Sequence, residues 1–133
     1  MAVTNWIKAG EWYNERHINM TAKYGIDAFK FDAGEVVWFP DDFNFDAKVT
    51  NPCMVTHEYV KLVSVPSYRD RIEVRAVYQN QNEPILVRMM DKDSHWGHDN
   101  GLRTMIPTAL LFSTLGYPFI LPGLSLCDYV ISI

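Results

Sequence analysis

The chain has 133 residues, the length of one ordinary domain. Hydrophobic residues make up 48% and charged residues 21%, the balance of a folded globular chain rather than a disordered one. Sixteen acidic against twelve basic residues leave a net charge of −4, which argues against a nucleic-acid partner, and no stretch supplies the ~18 consecutive apolar residues of a membrane helix. Aromatics reach 14%, a load that either fills a core or stacks on flat ligands such as sugars. The two cysteines, Cys53 and Cys127, form neither a disulfide framework nor a metal-ligand spacing. The first residues show no basic segment followed by an apolar run, so no secretory leader is expected.

In chain order, Glu11 to Tyr24 reads as a helix, with Tyr13, His17, Met20 and Tyr24 on one face and Gly25 as its stop. Ile26 to Phe31 reads as a buried strand closed by Asp32. After a long loop rich in Asp, Phe and Asn, the pair Asn51-Pro52 signals a second helix with a Val55, Tyr59, Leu62 stripe. Ile72 to Tyr78 reads as a strand, Gln79 to Glu83 as a polar turn, and Ile85 to Met89 as a further strand running to Asp91. Leu102 to Leu115 reads as a third helix, with Pro107 near its start and Gly116 as its stop, and Phe119 to Leu121 begins a last strand. Helices placed between buried strands argue for parallel βα units. The charged residues that interrupt these strands gather at their carboxyl ends: Lys30 and Asp32, Arg75, Arg88 and Asp91. In an α/β barrel that end carries the chemistry. A complete barrel takes about 250 residues. The expectation is therefore an α/β chain forming part of a (β/α)8 TIM barrel, roughly its middle strands. Its open edges would call for the missing barrel half or an oligomer partner.

Asp32 and Asp91 each follow an apolar strand. Glycoside hydrolysis needs two carboxyl groups with different duties, and strand ends can bring together residues far apart in sequence. The bland alternative is that both are helix caps or turn residues. His95, His98 and Asp99 fit no zinc spacing, and His57-Glu58 lacks the second histidine of a zincin helix, so neither a metal nor a cofactor is expected. Trp6, Trp12 and Trp38 read as core or rim residues, with Trp38, just past Asp32, the best placed as a sugar platform.

The segment GIDAFKFDAGE, Gly25 to Glu35, resembles the nucleophile strand of glycoside hydrolase family 31, a family of retaining α-glycosidases on an α/β barrel. The resemblance implies that Asp32 is the nucleophile, that Lys30 contacts substrate and that Glu35 supports the loop. EVRAVYQNQ, Glu73 to Gln81, looks like the family's next strand, which makes Arg75 a substrate-binding residue. The family's acid/base follows that arginine by sixteen positions, and 75 + 16 gives Asp91. Ser94 and Trp96 match the serine and tryptophan that follow the acid, and Trp96 is taken as a further sugar contact. IPTALLFSTLGYPFILP, Ile106 to Pro122, looks like the following helix and strand. FKFDAGE, D-x-D-S-x-W-G and LGYPFILP together resemble the myogenesis-regulating glycosidase subgroup in particular. A rival match, HWGHDN from His95 to Asn100, looks like a His-Trp-x-Gly-Asp string and would make Asp99 the acid/base; the Arg75 spacing favours Asp91.

The match stops at Pro122. The family then has a sugar-contacting Asp where this chain has Gly123. Residues 1–122 are accordingly read as a partial catalytic barrel and 123–133 as a divergent tail. The resemblance implies double displacement on an α-galactoside or α-glucoside, with Asp91 kept protonated by an apolar setting of Met89, Met90 and Trp96. It also implies a parent protein in the secretory-pathway lumen or anchored to a membrane. The alternative is a catalytically inactive short product acting as an interaction or regulatory protein.

Overall fold

The computed structural model describes residues 6–42 and 51–123. The chain divides into two compact units, Met1–Ile85 and Leu86–Ile133. Both are α/β, and the strand pair within each runs parallel. Residues 43–50 of the expected loop and 124–133 of the expected tail, Cys127 included, lie outside the described residues.

In the first unit, helix α1 (Trp6–Tyr24) begins well before the expected Glu11 and runs through Gly10. Gly10 is buried, and a Cβ there would lie 3.3 Å from the Leu62 side chain on α2 (Cys53–Val63). The glycine marks where the two helices approach each other. The inward face of α1 is Gly10, Tyr13, Asn14, His17 and Thr21, whereas Met20 and Tyr24 of the expected stripe are exposed. Asn14 donates its amide to the Leu62 carbonyl (2.8 Å) and accepts from the Tyr68 hydroxyl (3.1 Å), so a satisfied polar group occupies the inner face. Gly25 ends the helix at φ +65°, its N–H bonded to the Thr21 carbonyl at 3.0 Å.

Strand β1 (Phe29–Phe31) pairs with β2 (Ile72–Val74) in the register Phe29↔Ile72, Lys30↔Glu73, Phe31↔Val74. Phe29 and Phe31 meet the His17 ring at 5.0 and 5.1 Å, and Tyr68 lies 5.0 Å from Phe29. Phe31, Tyr68, Ile72 and Val74 are buried, as are Val55, Val60 and Val63 of α2. Burying each such side chain contributes about 1.5–3 kcal/mol. On α2, Tyr59 and Leu62 are only half-buried, and Thr56 replaces them on the inner face. Asn51 sets the start of α2, its Oδ1 accepting the Cys53 N–H at 2.9 Å, as the Asn-Pro pair implied. β2 ends at Val74, short of the expected Tyr78. The chain instead turns around Asn80, which is fully buried, accepts the Tyr78 N–H (3.0 Å) and donates to the His57 carbonyl (3.2 Å).

In the second unit, β3 (Leu86–Arg88) pairs with β4 (Ile120–Leu121) in the register Val87↔Ile120, Arg88↔Leu121. Val87, Arg88 and Met89 are buried in succession. A 3-10 turn (Leu102–Thr104) leads into α3 (Met105–Thr114), with Pro107 in its first turn, where a missing N–H costs nothing. Gly116, at φ +91°, stops the chain's helical course as expected. Gly123 is buried against the Met90 carbonyl, which a Cβ would overlap, so this conformation has no room for a larger residue there. Among the described residues no helix is long and apolar enough to cross a membrane.

Candidate functional site

Strand alternation builds the first cluster. Phe29 and Phe31 turn towards α1, so Lys30 and Asp32 belong to the opposite face. On β2, Ile72 and Val74 take the buried side, and Glu73 and Arg75 the other. The register Lys30↔Glu73 then brings Asp32 beside Arg75 where both strands end. That is the crevice side of a parallel sheet. Arg75 Nη1 lies 3.1 Å from Asp32 Oδ1. The Arg75 side chain is 12% exposed and that of Asp32 54%, so a largely buried cation holds a carboxylate that is open to solvent. Lys30, on the same face, is exposed.

Past Asp32 the backbone takes left-handed conformations at Ala33 (φ +61°) and Gly34 (φ +95°). The Ala33 N–H bonds Asp32 Oδ1 at 3.0 Å. A non-glycine residue in that region is uncommon and carries strain. Two residues of α2, one turn apart, hold the loop in place. Thr56 donates to the Gly34 carbonyl (2.8 Å), and Tyr59 donates to the Asp32 carbonyl (2.8 Å). Burial, with Tyr13 and the Asp32 and Glu35 carboxylates, raises the Tyr59 phenol, which keeps that donor protonated.

Glu35 follows as the hub of the cluster. Its Oε1 accepts Arg75 Nε at 2.7 Å, and its Oε2 accepts Arg75 Nη2 and Trp38 Nε1, each at 3.0 Å. Burial alone would raise the Glu35 carboxyl. Hydrogen bonds from Arg75, its own backbone and Trp38, with the Arg75 charge, outweigh that and hold it below the usual carboxylate value. The Trp38 ring is 66% exposed, with the Arg75 guanidinium 5.9 Å from its centroid.

The second unit carries its own cluster. Arg88, buried at the end of β3, donates to Asp91 Oδ1, and the Asp91 side chain is 55% exposed. Asn100 Nδ2 donates to the Asp91 carbonyl at 3.0 Å. From there the chain closes a loop: Asp93 N–H bonds the Asn100 carbonyl (3.1 Å) and Leu102 N–H bonds the His95 carbonyl (2.9 Å). Asp99 pairs with His95 at 2.7 Å; that hydrogen bond raises the imidazole and lowers the carboxyl. Trp96, in this loop, is 70% exposed. The apolar setting expected around Asp91 differs from what these residues provide. Met89 is buried, Met90 and Trp96 are exposed, and Arg88 is paired with the Asp91 side chain.

Asp32, Arg75 and Glu35 are thus joined directly, while Lys30 shares their face without a described contact to them. The sequence reading overlooked Tyr59 and Thr56 as clamps of the Asp32 loop and Arg88 as the partner of Asp91. The i, i+3 spacings Glu35–Trp38 and Arg88–Asp91 were the available signals.

No family model matches the chain. Over 117 residues, 88% of this chain, the sequence is 39% identical to the myogenesis-regulating glycosidase of Mus musculus, and it covers 16% of that protein. Over 58 residues, 41% of this chain, it is 41% identical to the SITS-binding protein of Tetronarce californica, covering 8% of it. The chain is therefore related to a protein named as a glycosidase and spans a small part of that protein's length.

Proposed function

We propose that this chain is a segment of a retaining α-glycosidase of glycoside hydrolase family 31, contributing part of a (β/α)8 barrel and acting on an α-galactoside or α-glucoside. The observation that carries the reading is the Asp32–Arg75 pair at the carboxyl ends of adjacent parallel strands, 3.1 Å apart and braced by Glu35. The identity to a glycosidase-named relative supports it. In this mechanism the Asp32 carboxylate attacks the anomeric carbon while a proton passes from Asp91 to the departing glycosidic oxygen. Water then attacks the glycosyl ester and yields its proton to Asp91, and Asp32 leaves as a carboxylate. Arg75 orients Asp32 through Oδ1. Lys30 offers hydrogen bonds to sugar hydroxyls, and the Trp96 ring offers an apolar surface to the sugar.

The test uses the full-length protein and nitrophenyl α-galactoside and α-glucoside. Asp32→Ala abolishes turnover, and added azide restores release of nitrophenol with formation of a β-glycosyl azide. Asp91→Ala with azide yields the α-glycosyl azide instead, because the anion then attacks the glycosyl-enzyme. Unchanged turnover in Asp32→Ala refutes the nucleophile assignment. An α-azide formed by Asp99→Ala and not by Asp91→Ala moves the acid/base to Asp99.

A further inference from the structure

Trp38 is a large apolar ring that the fold leaves 66% exposed, next to Val37, which is 75% exposed. It lies in the short 3-10 turn Val36–Trp38 directly after the Asp32 loop. Its only polar group is satisfied, since Nε1 donates to Glu35 Oε2 at 3.0 Å. The same carboxylate grips Arg75 through both oxygens, and Arg75 reaches Asp32 Oδ1 at 3.1 Å. One side chain therefore fixes both the ring and the cation that holds the proposed nucleophile. Trp12, the other tryptophan of this unit described as exposed, lacks such a mount: it is 60% exposed and meets only the Arg16 guanidinium among its described contacts.

We propose that Trp38 is a sugar-stacking platform beside Asp32, locked in place by Glu35. The ligand class is a pyranoside, which pairs a C–H face suited to an aromatic ring with a hydroxyl rim suited to charged donors. The exposed Lys30 is a donor on that side of the strands. Locking the ring before the ligand arrives lowers the ordering cost of binding. The ligand class rests on the α-glycoside reading above; the placement of the ring does not.

In the full-length protein, Trp38→Ala raises KM for the nitrophenyl α-glycoside about 3- to 10-fold, with kcat changed by less than about 2-fold. Trp38→Phe keeps a ring but loses the Nε1 bond to Glu35, so it recovers only part of the loss. A lowered kcat at unchanged KM overturns the proposal, because the residue then acts through Asp32 and not by holding sugar. A second measurement separates this proposal from the glycosidase reading. Methyl α-galactopyranoside and methyl α-glucopyranoside are titrated by calorimetry into the Asp32→Ala protein with and without Trp38→Ala. Weaker binding when Trp38 is removed supports the platform even if no α-glycoside is turned over. Equal binding, or no binding of either sugar while Trp38 is present, overturns it.

Discussion

Replacing Gly34 with alanine tests how tightly the Asp32 loop is held. At φ +95° an L-residue pays roughly 1–2 kcal/mol in backbone strain. The new Cβ would also meet Tyr59 Cδ1 at 2.6 Å and Cε1 at 2.8 Å, well inside contact distance. The ring cannot swing away freely, because its hydroxyl is bonded to the Asp32 carbonyl. Overpacking of this kind costs about 1–3 kcal/mol more, giving a total of roughly 2–5 kcal/mol. For a unit of this size that corresponds to a fall in Tm of at least ~8 °C. Gly25 supplies the control. It has φ +65°, but nothing lies within 4 Å of an added Cβ, so Gly25→Ala costs only about 1 kcal/mol of strain. Scanning calorimetry of both variants separates strain from overlap. In a Tyr59→Ala background the extra cost of Gly34→Ala should fall to the strain alone, since the overlapping ring is gone. Equal Tm losses at positions 34 and 25, or full additivity of Gly34→Ala with Tyr59→Ala, would refute the argument.

Glu35 makes a pH prediction. Its carboxyl is held below the usual value, so the folded state favours the ionised form. The stabilisation is fully present above the ordinary glutamate range and is lost as pH falls through the depressed folded value. Urea unfolding from pH 7 to pH 3 should therefore show the wild type losing its advantage over Glu35→Gln only below about pH 4.5. A constant difference across that window would contradict the ion pair with Arg75. Asn80→Ala removes a fully buried amide and leaves the Tyr78 N–H without its acceptor, at a cost of about 1–3 kcal/mol. The urea midpoint should fall with the slope unchanged; a loss below ~0.5 kcal/mol would mean that water or another group replaces the amide.

Helix punctuation was the most legible feature of the sequence. Gly25, Gly116 and the Asn51-Pro52 pair act locally, through backbone conformation and capping, and each sits where it was expected. Strand parity was not read: Ile26 to Phe31 was expected as a buried strand, whereas Phe29 and Phe31 pack on the His17 ring and leave Lys30 and Asp32 on the other face, with Arg75 brought beside Asp32 by the register. Nor was the face of α1. Periodicity carried the stripe on to Met20 and Tyr24, whereas the partners available to the helix favour Gly10, Asn14 and Thr21. Strand lengths were overread because Ile85 to Met89 and Ile72 to Tyr78 are apolar beyond their pairing, and the turn at Asn80 depends on His57, a partner in α2. Glu35 could be seen as a loop residue, but its grip on Arg75 joins positions 40 apart.

The two proposed catalytic carboxylates are mounted in different ways, and the mount of Asp32 suits its proposed duty. Asp32 is held by three elements. Tyr59 of α2 takes its carbonyl, the start of the next loop takes Oδ1 through Ala33, and Arg75 from the end of β2 takes the same oxygen. A nucleophile gains from such bracing, because its attack depends on a fixed distance and line of approach. Asp91 is held within its own neighbourhood, by Arg88 at i−3 and by Asn100 within the loop that follows it. On this view Arg75→Lys is not a conservative change. Lysine keeps the charge but loses the fork that spans Asp32 and Glu35 together.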